Sequence, residues 1–420
     1  MFNHNVLIGG RWMRLVLLIP SLIAVVTMAA CGGGTNPNAP QVANIANAAF
    51  ISNSYSGNLQ LVDTQNDTTS YSQQTTNSSG QIVQGTPVDI TFEATTVTYE
   101  VANPTKANTL VYDPATAVLY IIDNTAQVEN GSLSLVGPAP MAAYSADGAT
   151  VYAPVPSGGV SNSQPGVVQV WSSSTYANTA NYPVVGASAV APSPNGNYLL
   201  VFSNNSDAMT VINLSASPVT YTSIPGLARP VNAFFSSDGN TAYVINCGPE
   251  CGSSNPASVA QVNIPSAKIV ATVPVGGASV GLLNGSTLYV AGSPVPPGTT
   301  STFDAVNISN MTRITANSVP ISDGFHTTMA LAQNNKLYIG ANQCSNQTVG
   351  CLSVVNTSSY TADAALPPRG AVTSLLAIAN RNVVYAIEGG LLIIYDTTTD
   401  QPQQTQIIFT GALYGIALAN

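Results

Sequence analysis

The chain has 420 residues, 45% of them hydrophobic and only 6% charged, with a formal net charge of −9 at pH 7. Its apolar residues lie in short runs separated by Asn, Ser, Thr and Gly. This excludes a disordered chain, which lacks the apolar residues to build a core, and suits an all-β protein with neutral polar loops. Two of the nine basic residues, Arg11 and Arg14, fall in a leader; without them the charge is −11, which excludes nucleic acid as a partner because phosphate binding needs a basic stripe.

At the N-terminus, Arg11 and Arg14 precede an apolar run from Leu15 to Met28. The run is shorter than the roughly 20 residues of a membrane span and has the form of a signal peptide over 1–30. Met13-Arg14 followed by the run is already a complete signal, so Met1 and Met13 are both candidate starts. The sequence Met28-Ala29-Ala30-Cys31 resembles the lipobox of bacterial lipoproteins, with Met28 where Leu is usual. The resemblance implies that Cys31 is acylated and anchors the protein in the cell envelope. Gly32 after it lacks the Asp that retains some lipoproteins at the inner membrane, so the outer membrane is preferred. Residues 31–45 read as a flexible tether, and no later segment has 18 consecutive apolar residues.

From about residue 46 a repeating unit takes over. Each copy has an apolar strand, a turn rich in Asp, Asn and Gly, a strand containing Tyr-Val or its equivalent, a polar loop and a further strand. The first hairpin, Phe50–Asn53 with Leu59–Asp63, has no inner strand before it, and residues near 70–95 exceed the period and read as an insertion after the first blade. Clear copies of the turn follow at Ser145-Ala146-Asp147-Gly148, Ser193-Pro194-Asn195-Gly196 and Ser236-Ser237-Asp238-Gly239. Degenerate copies surround Thr105, Asn284, Asn334 and Arg381. Successive markers are 42 to 50 residues apart, the period of propeller blades. Third strands often end in Asp or Asn, as at Asp63, Asn213 and Asp396. The chain closes on Leu413–Leu418, an inner strand with no hairpin after it. Pairing it with the first hairpin completes a blade from both chain ends and leaves no open edge. The expectation over 46–420 is one eight-bladed β-propeller, with seven blades the alternative if the first hairpin belongs to the insertion.

These repeats resemble the YVTN-type propeller family, a family also described as lactonase-like. The resemblance spans about Ala46 to Asn420 and implies the fold; it leaves function open, because propellers host unrelated activities. Two tryptophans in the chain, one of them in the leader, argue against WD-type and tryptophan-docking propellers.

Four cysteines follow Cys31. Cys247–Cys251 and Cys344–Cys351 each fall between the second and third strands of a blade. Local pairing gives two small disulfide loops, as suits an exported chain; four cysteines allow three connectivities. A metal site would want convergent thiolates or added histidines, and His326 is the sole histidine after the leader, so neither metal nor cofactor is expected.

Loops leading into inner strands and loops between second and third strands share one face of a propeller, the top. Lys106, Lys268, Arg313, Lys336 and Arg381 map to the opposite, bottom face. Arg229, His326 and Arg369 map to the top, with Asp323, Glu250 and Glu388 nearby. Arginine forks suit carboxylates and imidazole suits acid–base work near neutrality. Read functionally, Arg229 and Arg369 hold an anion and His326 acts as acid or base; read structurally, all three bond loop carbonyls and solvate the channel. With one histidine and no Ser-His-Asp pattern, nothing compels catalysis. Two functions are carried forward. One is a non-catalytic scaffold binding a protein, glycan or small ligand through its top face. The other, implied by the resemblance, is a lactonase-like hydrolase, which requires the three side chains to converge within about 8 Å.

Overall fold

A computed structural model describes residues 45–420, apart from residues 56, 70–74, 77–81, 84–88, 159–164, 295–300, 345–350, 364–365, 367–368, 404–406, 408, 410 and 420. The expected signal peptide, the expected lipidation site Cys31 and the expected tether up to residue 44 fall outside the described residues. The fold is all-β: eight antiparallel blades, each built outward from an inner strand. The inner strands of blades 1 to 8 are Leu413–Leu418, Glu100–Ala102, Ala143–Tyr144, Ala187–Pro192, Pro230–Phe235, Val280–Asn284, Phe325–Leu331 and Val372–Ala377. Blade 1 is composite. Its inner strand pairs with Ala48–Asn53, which pairs in turn with Leu59–Asp63, so the C-terminal strand and the first hairpin complete one sheet.

Packing explains the hydrophobic pattern. A blade is covered on both faces by its neighbours, so its middle strands bury successive residues rather than alternate ones. Ala48–Asn53 and Val383–Glu388 are buried throughout. Outer strands have one edge in solvent, and Lys268–Pro274 is mostly exposed or half-buried.

Turn chemistry sets the repeat. Ser145, Ser193 and Ser236 accept the i+3 N–H of Gly148, Gly196 and Gly239, and all three glycines have φ +72°, the left-handed position that closes this hairpin loop. In the degenerate copies Lys106, Asn335 and Asn380 occupy it at φ 61–63° and Gly285 at 58°. Seven such turns serve eight blades; the missing one is the closure between Leu418 and Ala48. The outer turns follow a second rule. The last residue of every third strand accepts a turn N–H through its side chain, as Asp63 does from Gln65 (2.8 Å), Asn356 from Ser358 (2.9 Å) and Asp396 from Thr398 (2.8 Å). This Asx-type turn is why seven of those strands end in Asp or Asn, Ser172 making the equivalent turn in blade 3.

The insertion expected after the first blade instead has both described flanks within blade 1. Thr68–Thr69 and Asp89–Ile90 both pair with Leu59–Asp63, so the excursion interrupts an outer strand, and a small sheet of Thr75–Thr76 with Ile82–Val83 belongs to it. Blade 6 repeats the device on a smaller scale. Thr312–Arg313 and Val319–Ile321 share the partner Ser301–Asn307. The fully buried Asp304 holds the interruption, accepting from Gly276 N (2.8 Å), Thr315 Oγ1 (2.7 Å) and Ser318 Oγ (2.7 Å).

Candidate functional site

Arg229, Glu250, His326 and Glu388 engage different neighbours. Arg229, at φ 55° just before the inner strand of blade 5, donates its backbone N–H to Asp207 Oδ1 (3.0 Å) and holds its Nε 3.8 Å from the same oxygen. Its Nη2 reaches Gly252 O (3.4 Å), and Asp207 also accepts Ser253 Oγ (3.2 Å). Arg229 thereby ties blade 4 to the disulfide loop of blade 5. The cysteines pair as Cys247–Cys251 and Cys344–Cys351, with Cα separations of 5.7 and 5.5 Å.

Glu250 sits in the first of these loops and turns towards the next blade. Its Oε2 accepts the Ser293 N–H at 2.8 Å, with Ser279 beside it, and burial pushes the carboxyl up to about 7. Ser279 Oγ in turn donates to His326 O (3.0 Å). The loop is therefore a strut from blade 5 to blade 6, with its carboxyl directed into the ring.

His326 occupies a position defined by the fold. The inner strands of blades 4, 5 and 8 bulge just after their first pairing with the end of the second strand, and that of blade 7 bulges on both sides of its second pairing, His326 with Ala341. Ala187, Pro230, His326 and Val372 are the residues before those bulges. All four are buried, His326 to 0% exposure. A bulge re-aims the adjacent side chain, here into the blade interface, where the other copies place apolar groups. Neither ring nitrogen forms a hydrogen bond. Burial draws the imidazole down to about 4, opposed by the nearby Gly324 and Ser322 carbonyls and the Asp323 carboxylate. Imidazole here is a neutral core filler.

The third group crowns blade 8. Glu388, buried to 1%, ends the second strand, and Tyr395 Oη donates to its Oε2 at 2.5 Å. Burial pushes Glu388 up to about 7, while Arg369 and the Tyr395 hydroxyl oppose the shift. Arg369 is exposed, and its positive charge lies near Tyr395. Among the described residues no hydrogen bond or ion pair joins any two of Arg229, His326 and Arg369, and no group of three metal-ligating side chains is present.

One residue escaped the sequence reading. Glu100 and His326 are the sole charged residue and sole histidine in the eight inner strands. The Glu100 carboxyl is enclosed where blade 2 meets the closing strand of blade 1. Its Oε1 has no hydrogen-bond partner, Ser52 lies beside it, and burial pushes it up to about 8. A Cβ on Gly415 would stand 1.8 Å from Glu100 Oε2, so Gly415 makes room for this carboxyl. The sequence signal was its isolation as a charge in a strand of otherwise small and apolar residues.

Two of the bottom-face cations, Arg381 and Lys336, link neighbouring blades. Arg381 forks onto Asp67 (2.6 Å to each oxygen) across the seam between blades 8 and 1, and Tyr385 bonds the same carboxylate. Lys336 and Tyr338 hold Asp400 (2.9 and 2.8 Å) between blades 7 and 8. Two surface grooves, of about 510 and 710 Å³, flank the interrupted outer edge of blade 6 around Arg313–Pro320.

No family model matches the sequence, and no curated protein matches it. Solved structures do. The chain is similar to dihydro-heme d1 dehydrogenase NirN, determined in complex with DHE, at TM-score 0.65 and 11% identity over 91% of this chain and 78% of that one. It is similar to hydrazine synthase of Kuenenia stuttgartiensis at TM-score 0.54 and 16% identity, covering 77% and 99%. It is also similar to a functionally unknown protein from Desulfotomaculum acetoxidans at TM-score 0.52 and 16% identity, covering 76% and 95%. Identities this low establish the propeller fold and leave activity open.

Proposed function

We propose that this chain is an exported, lipid-anchored propeller that acts as a non-catalytic binding module through its top face. The observation that carries the reading is the placement of His326. A general acid or base must reach its substrate, and this imidazole is fully buried, neutral near pH 7 and aligned with apolar residues of three other blades. Arg229 is engaged by Asp207 and Gly252, so an arginine pair around a shared substrate does not assemble. The lactonase-like alternative would need His326 to reach a substrate, and its burial disfavours that. Among the described residues the top face carries two disulfides and inter-blade bonds, and such bracing suits recognition with little ordering cost. The acylated Cys31 supplies the anchor, and the cell envelope, with the outer membrane preferred, is the location.

Two measurements test the proposal. Metabolic lipid labelling should mark the wild type, and Cys31→Ser should lose the label; unchanged labelling of the variant removes the anchor. A lactone and small-metabolite turnover screen of the purified protein should show no hydrolysis. Turnover abolished by His326→Ala in a folded variant would overturn the non-catalytic reading.

A further inference from the structure

The outer edge of blade 6 departs from that of its neighbours. Blades 2 to 5 each finish on one continuous outer strand: Val128–Ser134, Asn178–Pro183, Thr220–Pro225 and Lys268–Pro274. Blade 6 breaks that strand between Thr312–Arg313 and Val319–Ile321, and residues 314–318 form a loop between the two halves. A buried carboxylate is costly unless it is fully satisfied, and the buried Asp304 is committed to this loop through Thr315 Oγ1 and Ser318 Oγ, each at 2.7 Å. Arg313 adds a second tie, from Nη2 to Ala316 O (2.9 Å). The fold completes blades 2 to 5 without such a device, so closure of the sheet does not account for it. Departures of this kind from the local rule gather at functional sites. The loop forms one wall of the larger groove, of about 710 Å³, and residues 359–362 of blade 7 form the other. Val319 and Tyr360 line the groove and pack against the same buried cluster between blades 6 and 7. Tyr360 is half-buried, whereas Asn317, Ser359 and Thr361 are exposed.

We propose that this groove between the outer edges of blades 6 and 7 binds a short neutral oligosaccharide, with a sugar ring against Tyr360 and its hydroxyls met by Asn317, Ser359 and Thr361. The site lies on the outer rim and stands apart from the top-face reading. Charge selects the ligand class first. None of the residues lining the groove is charged, so a cation finds no carboxylate there, and the net charge of −11 after the leader repels anions. Composition selects next. A sugar presents hydroxyls and an apolar C–H face together, which matches hydroxyl and amide side chains set around a tyrosine. An extended peptide is the other neutral occupant. Adding it as a strand requires N–H groups along the sheet edge, and Pro320, in the middle of Val319–Ile321, has none and blunts that edge. Asp304 holds the loop wall in place before any ligand arrives, so binding loses little further entropy.

Saturation-transfer NMR of the purified protein with maltotriose, cellotriose and chitotriose, and with trigalacturonate as a charged match, tests the site. At least one neutral trisaccharide should bind saturably and more tightly than trigalacturonate. Tyr360→Ala should weaken that binding by about tenfold, with a cooperative melt showing that the variant is folded, and Tyr360→Phe, which keeps the ring, should weaken it far less. Asn317→Ala, at an exposed loop position where folding is not at stake, should weaken it severalfold. Absence of binding by all three neutral sugars, or affinity unchanged in both Tyr360→Ala and Asn317→Ala, overturns the site. A preference for trigalacturonate overturns the ligand class. Binding of a capped, alternating Thr-Val hexapeptide in place of the sugars also overturns it and assigns the groove to strand addition.

Discussion

Glu100 and Gly415 illustrate how single residues set the closure of the ring. The carboxyl of one inner strand fills space that a side chain on its neighbour would occupy. Gly415→Ala should destabilise by about 1–3 kcal/mol through overpacking, and Glu100→Ala in the same chain should recover part of the loss; a thermal melt of the three variants measures it. The charge has its own signature. An ordinary Glu ionises near 4.3 in the unfolded chain, and Glu100 is held up to about 8. Its stabilising effect is complete below the unfolded value and is lost as pH rises to the folded one. Glu250 and Glu388, raised to about 7, act in the same direction. His326 acts oppositely: drawn down to about 4, it keeps its contribution above its unfolded value near 6.5 and loses it as pH falls towards 4. Melting temperature should decline between about pH 5 and pH 8, and Glu100→Gln should be less sensitive over that range and more stable at its upper end. A variant that tracks the wild type at every pH would place the Glu100 carboxyl in water.

Turns and strands explain how much of the architecture was readable from sequence. The Asp-Gly and Asn-Gly turns announce blades 3 to 5 because glycine is the residue that takes φ +72° without strain. Lys106, Asn335 and Asn380 adopt the same conformation without glycine, which is why those copies look degenerate although their geometry is equivalent. Asp and Asn at the ends of third strands were visible as a pattern, and the Asx turn supplies its cause. The site was less legible. Placing Arg229, His326 and Arg369 on the top face follows from strand order alone, whereas the burial of His326 depends on a bulge that periodicity cannot show. Aligning it with Ala187, Pro230 and Val372 would have exposed it as a core position. Glu250, in the first disulfide loop, braces blade 6 through Ser293. Cys247→Ser with Cys251→Ser should therefore lose about 2 kcal/mol and keep the fold. Non-reducing peptide mapping of the wild type should recover the two local pairs, and a cross-pair such as Cys251 with Cys344 would contradict the observed bridges. Full unfolding of the double variant at 25 °C would show that the strut holds the ring rather than the loop.

At the scale of the molecule, stability depends on a ring joined by one non-covalent seam. Every other blade is continuous in the chain, so its strands find each other locally. Blade 1 must bring Leu413–Leu418 back to Ala48–Asn53, pairing Ile51 with Ile416 and Ala49 with Leu418. Three further contacts brace this seam: the Arg381–Asp67 fork on one side, and on the other Glu100 against Gly415 and the Asn124 Nδ2–Ala419 O bond (2.5 Å). The strand and the fork should differ in effect. Arg381→Ala leaves Asp67 half-satisfied by Tyr385 in a partly buried place and should lower stability by about 1–3 kcal/mol, with the ring still closed and the melt still cooperative. Deletion of residues 412–420 removes every hydrogen bond along one edge of Ala48–Asn53, a strand with all six residues buried, and opens that edge to other chains. The truncated protein should aggregate or melt without cooperativity, as followed by light scattering and calorimetry. A cooperative, monomeric melt of the truncated chain would mean that the seven continuous blades hold the ring without the C-terminal strand.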